Sequence, residues 1–299
     1  INNKTKEVKV VSVYRDTLTQ QADGTYDKAN AAYSYGGPEE AISLLNRNFD
    51  LDIKKYMSVN FNALADVIDL LGGIELELTD EEVFWTNGYC TETSRVVGRE
   101  TTELTKPGKQ TLDGIQAVAY ARIRKTEGSD FKRTERQRLV LEQVANKAKT
   151  ANISTLNKII DQIFPQVSTN LSANDLLGMA ASAVQYQIGE MSGYPFDVAT
   201  PDSVIGLEGS FVVAIGAADN VKQLHEFLFG EKDYQVSDKV KEIDNDVAYL
   251  SGISGSDYET PVDDGSYTDD SGYVDNGYSD DSSEENYQDS TYTDGDAQW

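Results

Sequence analysis

Residues 61–78 carry the clearest alternation of apolar and polar positions in the chain. Phe61, Leu64, Ala65, Ile68 and Leu71 recur at helical spacing, and Gly72-Gly73 stops that helix. Ile74, Leu76 and Leu78 then alternate with acids, as in a strand with one wet face. On the residues alone, this is a helix packed on a strand in a core. Nearer the N-terminus, Glu7 to Tyr14 (EVKVVSVY) is rich in valine and predicts a strand that stops at Arg15-Asp16-Thr17. Gly36-Gly37-Pro38-Glu39-Glu40 predicts a helix start, with proline first and acids in the first turn, running through Ile42, Leu45 and Asn46 toward Phe49. Asp113 followed by Gln116 reads as a cap pair opening a short helix through Ala117 to Tyr120. After the break at Gly128-Ser129-Asp130, Ser129 or Asp130 is expected to cap a longer helix to about Thr150, with Val140, Val144 and Ala148 facing inward. Helices are expected over Ile153–Phe164 and Ser172–Ile188, a strand over Phe211–Ile215, and a final helix over Asp219–Phe229. Interleaved strands and helices predict an α/β (α+β) fold: a single domain over residues 1–250, with a mixed central sheet flanked by helices.

Composition sets the limits of that domain. The chain has 299 residues, 39% hydrophobic content and a formal net charge of -25. From residue 251 to 299 there are 14 acids, six tyrosines and no Lys or Arg, which leaves a net charge of -11 for the rest. Such a segment cannot bury enough apolar surface to offset its ordering entropy, so it is expected to be a disordered acidic tail. Either it only solubilises, or it is a spacer whose tyrosines act as aromatic stickers or whose acids hold Ca²⁺ loosely. No apolar run approaches the roughly 18 residues needed to cross a bilayer, and no signal peptide is visible. Cys90 is alone, in a stretch (TNGYCTETS) that reads as a loop, so it carries no assigned chemistry. His225 is the only histidine and is expected at a partly exposed helix position, which argues against a histidine-based metal site or triad. The Gly36-Gly37 and Gly72-Gly73 pairs lack the strand, turn and helix arrangement that cradles a nucleotide phosphate.

Against this acidic background, residues 121–138 (ARIRKTEGSDFKRTERQR) hold seven basic side chains: Arg122, Arg124, Lys125, Lys132, Arg133, Arg136 and Arg138. Arginine forks match phosphate or carboxylate oxygens, although a solvated helix face with local ion pairs would read the same way. If the backbone is extended at Arg122 to Arg124, both guanidiniums face one side. Arg133 and Gln137, four apart, share a helical face in the first turns, where free N–H groups already favour an anion. Arg15-Asp16 at the end of the first strand is a weaker signal, since a local ion pair is the plainer explanation.

In this order, VSVYRDT (Val11 to Thr17), KANAAYSYGG (Lys28 to Gly37), VNFNALADVIDLLGGIELEL (Val59 to Leu78), LDGIQAVAYARIR (Leu112 to Arg124) and DFKRTERQR (Asp130 to Arg138) resemble the LytR-CpsA-Psr family of bacterial cell-envelope phosphotransferases. The resemblance implies an extracytoplasmic enzyme that moves an anionic glycopolymer, such as teichoic acid or capsule, from undecaprenyl pyrophosphate to peptidoglycan. By motif match, Arg15, Lys28, Arg122, Arg124, Arg133 and Gln137 would surround the pyrophosphate, with Arg15, Arg122 and Arg124 catalytic in stabilising charge on the leaving oxygens. Asp16 would orient Arg15. Phe61, Leu64, Ile68 and Leu71 would line a pocket for the lipid. Family members also carry a cytoplasmic tail, a membrane helix and a first strand led by Arg-x-Asp-Thr, whose aspartate binds Mg²⁺. The resemblance places Ile1 at the turn after that strand, so the membrane anchor and the Mg²⁺ ligand are expected upstream, and the chain is expected to be N-terminally truncated. A polyprenyl-pyrophosphate hydrolase, with water replacing the sugar hydroxyl, is a variant of this transferase, and two further classes stay open: a non-catalytic binder of polyprenyl phosphate or wall polymer, and a nucleic-acid-binding regulator. A charge of -25 opposes the last, so no nucleic-acid partner is expected.

Overall fold

A computed structural model describes residues 1–172, 175, 178, 179 and 182–255. The chain runs β1 (Glu7–Val13), β2 (Leu18–Gln20), β3 (Tyr26–Lys28), α1 (Ala31–Phe49), β4 (Met57–Ser58), α2 (Phe61–Leu70), β5 (Ile74–Leu78), α3 (Asp80–Val97), β6 (Gly108–Leu112), α4 (Gly114–Ala121), α5 (Ser129–Thr150), α6 (Ile153–Ile163), β7 (Ser168–Thr169), β8 (Gln187–Tyr194), β9 (Val198–Ala199), β10 (Val213–Ala214), α7 (Ala217–Phe229) and α8 (Asp238–Ser251). The mixed α/β class holds, but among the described residues the strands join two by two instead of in one broad sheet. β1 and β8 are parallel; β2 with β3, β4 with β7, β5 with β6 and β9 with β10 are antiparallel. A parallel bridge from Thr17 to Val212 ties the chain after β1 to the approach to β10.

Local signals explain the first core. Asn60 caps α2 by accepting from Ala63 N–H, and Gly73, with φ at 85°, turns the chain into β5. β5 pairs with β6 from Ile74 opposite Leu112 to Leu78 opposite Gly108. The Asp113–Gln116 pair forms a full capping box that starts α4, as expected. Every residue of α4 is buried, and Ile68, Ile74, Leu112, Val118 and Ile123 are fully enclosed around it. Gly114 permits this approach: a Cβ there would lie 2.1 Å from the Ala65 carbonyl oxygen. Two further clusters close the rest, one around Leu18, Val213 and Val247, the other around Phe49, Tyr194, Leu224 and Val240.

Several expectations change. α1 begins at Ala31 and is broken at Gly36-Gly37, resuming at Pro38 where a helix start was expected. The TNGYCTETS stretch is not a loop: it lies within α3, opened by a Thr79–Glu82 capping box and closed at Gly98, and Cys90 is buried. α5 starts after Gly128, with φ at 81°, so Gly128 and not Ser129 or Asp130 holds the cap position. The helix expected to reach Ile188 stops short, because residues from Gln187 onward form β8; part of that span lies outside the described residues. Gly193 suits β8 because a Cβ there would meet the Tyr14 hydroxyl at 2.0 Å. His225 is buried rather than half exposed. Its Nε2 lies 3.0 Å from the Phe49 carbonyl oxygen, its Nδ1 lies 3.2 Å from Glu231, and its ring stacks on Tyr234 at 3.5 Å. Asp219–Phe229 is not the final helix: α8 follows, capped by Ser237, and Ile253 beyond it is still buried in the core. The domain therefore continues a few residues past 250, and the acidic segment from 256 on lies outside the described residues. No helix among the described residues is long and apolar enough to cross a membrane.

Candidate functional site

Three carboxylates hold the expected basic residues. At the end of β1, Asp16 faces two cations, with Lys28 Nζ at 3.2 Å and Arg15 Nε at 3.7 Å from the same oxygen. The Lys28 ammonium also lies over the Phe211 ring at 5.3 Å. Asp16 thus touches Arg15, as an orienting partner would, and Lys28 as well.

Arg122 ends α4 in a helical conformation, with φ at -93° and ψ at -8°. The extended backbone that would have aimed Arg122 and Arg124 the same way is therefore absent at Arg122, because the last turn of α4 carries on into it. Arg122 turns to α3, donating to the Thr93 hydroxyl at 3.1 Å and pairing with exposed Glu92 at 2.9 Å. Its guanidinium lies over the Phe61 ring, 4.9 Å from the centroid, and its side chain is only 13% exposed. Arg124 goes to Asp130 at 3.3 Å, and Arg133 reaches the same Asp130 oxygen at 2.9 Å with 11% of its side chain exposed. Gln137 sits one turn further along α5 and is half-buried.

The first turn of α5 also meets the end of β1. Tyr14 packs edge-on against Phe131 with ring centroids 4.5 Å apart. Burial pushes the Tyr14 hydroxyl above its ordinary pKa, the nearby Arg138 charge pulls it down, and Glu135 raises it. The structure thus joins Arg124 with Arg133 on one carboxylate and Arg15 with Lys28 on another, and links these pairs through adjoining aromatic rings. Arg122 stands on a third carboxylate at the edge of the apolar core.

Phe61, Leu64 and Ile68 are buried in that core against β5 and α4, and Leu71 is half-buried. Arg136, singled out in sequence only as one of seven basic residues, is itself buried and bonded to Glu82. Cys90 is inert at neutral pH: burial, with the Asp113 charge adding, pushes its thiol up to about 12. Among the described residues no group of three or more His, Cys, Asp or Glu side chains could hold a metal ion. Asp16, already set against two cations, does not by itself fit Mg²⁺.

Fold and site together define a class: an α/β domain whose Arg15, Lys28, Arg124 and Arg133, each matched to a carboxylate, lie where the end of β1 meets the start of α5, with Arg122 on a further carboxylate at the end of α4. The chain belongs to the LytR_cpsA_psr family, which matches residues 1–225. The polyisoprenyl-teichoic acid–peptidoglycan teichoic acid transferase TagU of Bacillus licheniformis is 35% identical over 181 residues, 59% of this chain and 53% of that protein. The crystal structure of Bacillus subtilis TagV is 26% identical, with a TM-score of 0.59 over 78% of this chain and 86% of that one. A solved Enterococcus faecalis protein described as a transcriptional regulator is 27% identical, with a TM-score of 0.63 over 85% of this chain and 88% of that one. The chain spans about half the length of the curated relatives it matches.

Proposed function

We propose that this domain transfers an anionic glycopolymer, a teichoic acid, capsule or similar chain, from undecaprenyl pyrophosphate to peptidoglycan. The observation that carries the reading is the cationic group itself. Arg124 and Arg133 converge on one oxygen of Asp130, and Arg122 lies against Phe61 at the rim of the apolar core. A phosphate oxygen can take the place of each carboxylate, because the guanidinium fork serves either. Arg122, Arg124, Arg133 and Gln137, with Arg15 and Lys28, then bind the diphosphate, and the first isoprene units lie toward Phe61, Leu64, Ile68 and Leu71.

In the transfer, a peptidoglycan hydroxyl oxygen attacks the glycan-side phosphorus and gives up its proton to water. The bond from that phosphorus to the bridging oxygen breaks, and polyprenyl phosphate leaves with the electron pair. Charge grows on the bridging and leaving oxygens, where the guanidiniums of Arg15, Arg122 and Arg124 stabilise it. Arginine stays protonated at any working pH and takes no proton. Mg²⁺ belongs to this proposal only as the family resemblance implies it, and no step runs through it. The matched relatives' names, teichoic acid transferases acting between a polyisoprenyl carrier and peptidoglycan, support the substrate pair. An extracytoplasmic location on a membrane anchor belongs to the same proposal.

The test is incubation with a short polyprenyl-pyrophosphate glycan and peptidoglycan fragments, read by mass spectrometry. The glycan–phosphate–peptidoglycan conjugate is the expected product. Binding without turnover favours a non-catalytic carrier-binding protein, a reading supported by Asp16, Asp130 and Glu92 all being engaged by cations. Free glycan phosphate favours hydrolysis.

A further inference from the structure

Arg136 has no place among the proposed head-group ligands, yet its guanidinium is held by three separate acceptors, with 8% of the side chain exposed. Its Nε donates to Glu82 Oε1 at 3.1 Å, its Nη1 to the Ile123 carbonyl oxygen at 3.4 Å, and its Nη2 to the Thr126 hydroxyl at 2.9 Å. Glu82 is fixed in turn. Its other oxygen accepts from the Thr79 N–H at 3.1 Å in the α3 capping box, and Oε1 also accepts from the Tyr120 hydroxyl at 3.3 Å. The guanidinium lies 5.8 Å from the centre of the Tyr120 ring.

The two loop acceptors bracket Arg124. After Ile123 N–H bonds back to Tyr120, the segment up to Gly128 has no regular secondary structure. Ile123 is buried beneath it, and a cleft lined by Thr79, Glu82, Tyr120, Thr126, Lys132 and Arg136 opens beside it. The Arg136 fork therefore ties this loop at two points, one on either side of Arg124.

We propose that Arg136, locked by Glu82, is a positioning residue: it fixes residues 122–126 so that Arg122 and Arg124 are presented to the diphosphate in a set geometry. This inference rests on the reading of those arginines as pyrophosphate ligands. A planar fork with three separated donors can reach Glu82, Ile123 and Thr126 at once, whereas a lysine ammonium keeps the charge and reaches fewer of them. A merely structural ion pair would cost stability when cut but would leave the ligand affinity of the folded protein alone.

The experiment titrates inorganic pyrophosphate into the 299-residue chain by calorimetry, for wild type, Arg136→Lys and Thr126→Val. Amide hydrogen exchange of the ligand-free proteins is recorded alongside. Leu224→Ala, in the core cluster beneath α7, serves as a destabilised control. Arg136→Lys is expected to bind roughly tenfold more weakly and to exchange faster over residues 122–126, because a small misplacement of a positioned group has a large effect. Thr126→Val, which removes one loop acceptor and keeps the core, shifts both readouts the same way by a smaller factor. The control leaves affinity unchanged. Wild-type affinity in both loop variants overturns the positioning role while the phosphate site stands. A wild-type chain that binds no pyrophosphate overturns the phosphate site and the positioning role with it.

Discussion

Arg133→Ala is the sharpest probe of the proposed head-group site. Arg133 is nearly enclosed and forms an ion pair with Asp130 at 2.9 Å, while Asp130 also pairs with Arg124 at 3.3 Å. Truncation removes one charge-assisted hydrogen bond to a bound diphosphate, worth about 1.5–3 kcal/mol. That corresponds to a dissociation constant raised roughly 10- to 150-fold. The folded state loses less, because Asp130 is partly solvated and such pairs contribute about 0.2–1 kcal/mol. Asp130→Asn supplies the opposite sign. Without its charge both guanidiniums lose a competitor, and affinity rises by up to about fivefold. The assay is calorimetric titration with inorganic pyrophosphate at low and moderate salt, with thermal melts to show that both variants fold. Equal affinities for wild type and Arg133→Ala, or weaker binding by Asp130→Asn, would refute the assignment of this pair to the anion site.

Other outcomes follow from the packing and from buried protons. Gly114→Ala should lower stability by about 1–3 kcal/mol or more in a denaturant titration, because the new methyl collides with the Ala65 carbonyl where α4 crosses α2; an unchanged midpoint would contradict that contact. Ile68→Ala should cost about 2–5 kcal/mol, since Ile68 is fully enclosed; a loss below 1 kcal/mol would show an open, lipid-ready wall instead of a filled core. Burial lifts the Cys90 thiol from 9.0 to about 12 and the Tyr120 hydroxyl from 10.0 to about 12. Both groups hold their protons more tightly when folded, so their contribution is intact below about pH 9 and is lost as pH rises toward 12. A stability curve flat across that window, or rapid alkylation of Cys90 at pH 8 in the folded protein, would go against this.

Much of the first core was legible in sequence because its signals are local. The apolar spacing of α2, the glycine pair before β5 and the Asp113–Gln116 box each act within a few residues. β8 was not, since Gly189 and Gly193 weaken its strand pattern and its partner β1 lies some 180 residues away. α3 is polar, yet its Thr79–Glu82 box was there to be read, as was the Ser237 cap with Val240, Ile243 and Val247 inward in α8. The burial of His225 depends on Phe49 and Glu231, which only the tertiary fold brings to it.

The candidate site shows the same division. Motif order picked out Arg15, Lys28, Arg122, Arg124, Arg133 and Gln137, but not how they pair. Arg122 departs from the expected extended geometry because α4 continues into it. Arg133 and Arg136 are three residues apart in one helix, and composition treats them alike. Arg136 lies four before the fully buried Val140, so it shares the inward stripe, while Arg133 aligns with Gln137 on the neighbouring face. That spacing was available in the sequence and separates the proposed clamp from the proposed ligand.

The most direct test of the central claim is a crystal structure of the chain with a short-chain polyprenyl pyrophosphate. The account predicts the diphosphate held by Arg122, Arg124 and Arg133 within reach of Arg15, with Asp130 and Glu92 displaced from their arginines and the first isoprene against Phe61. A lipid bound elsewhere, with those guanidiniums still on Glu92, Asp130 and Asp16, would contradict it.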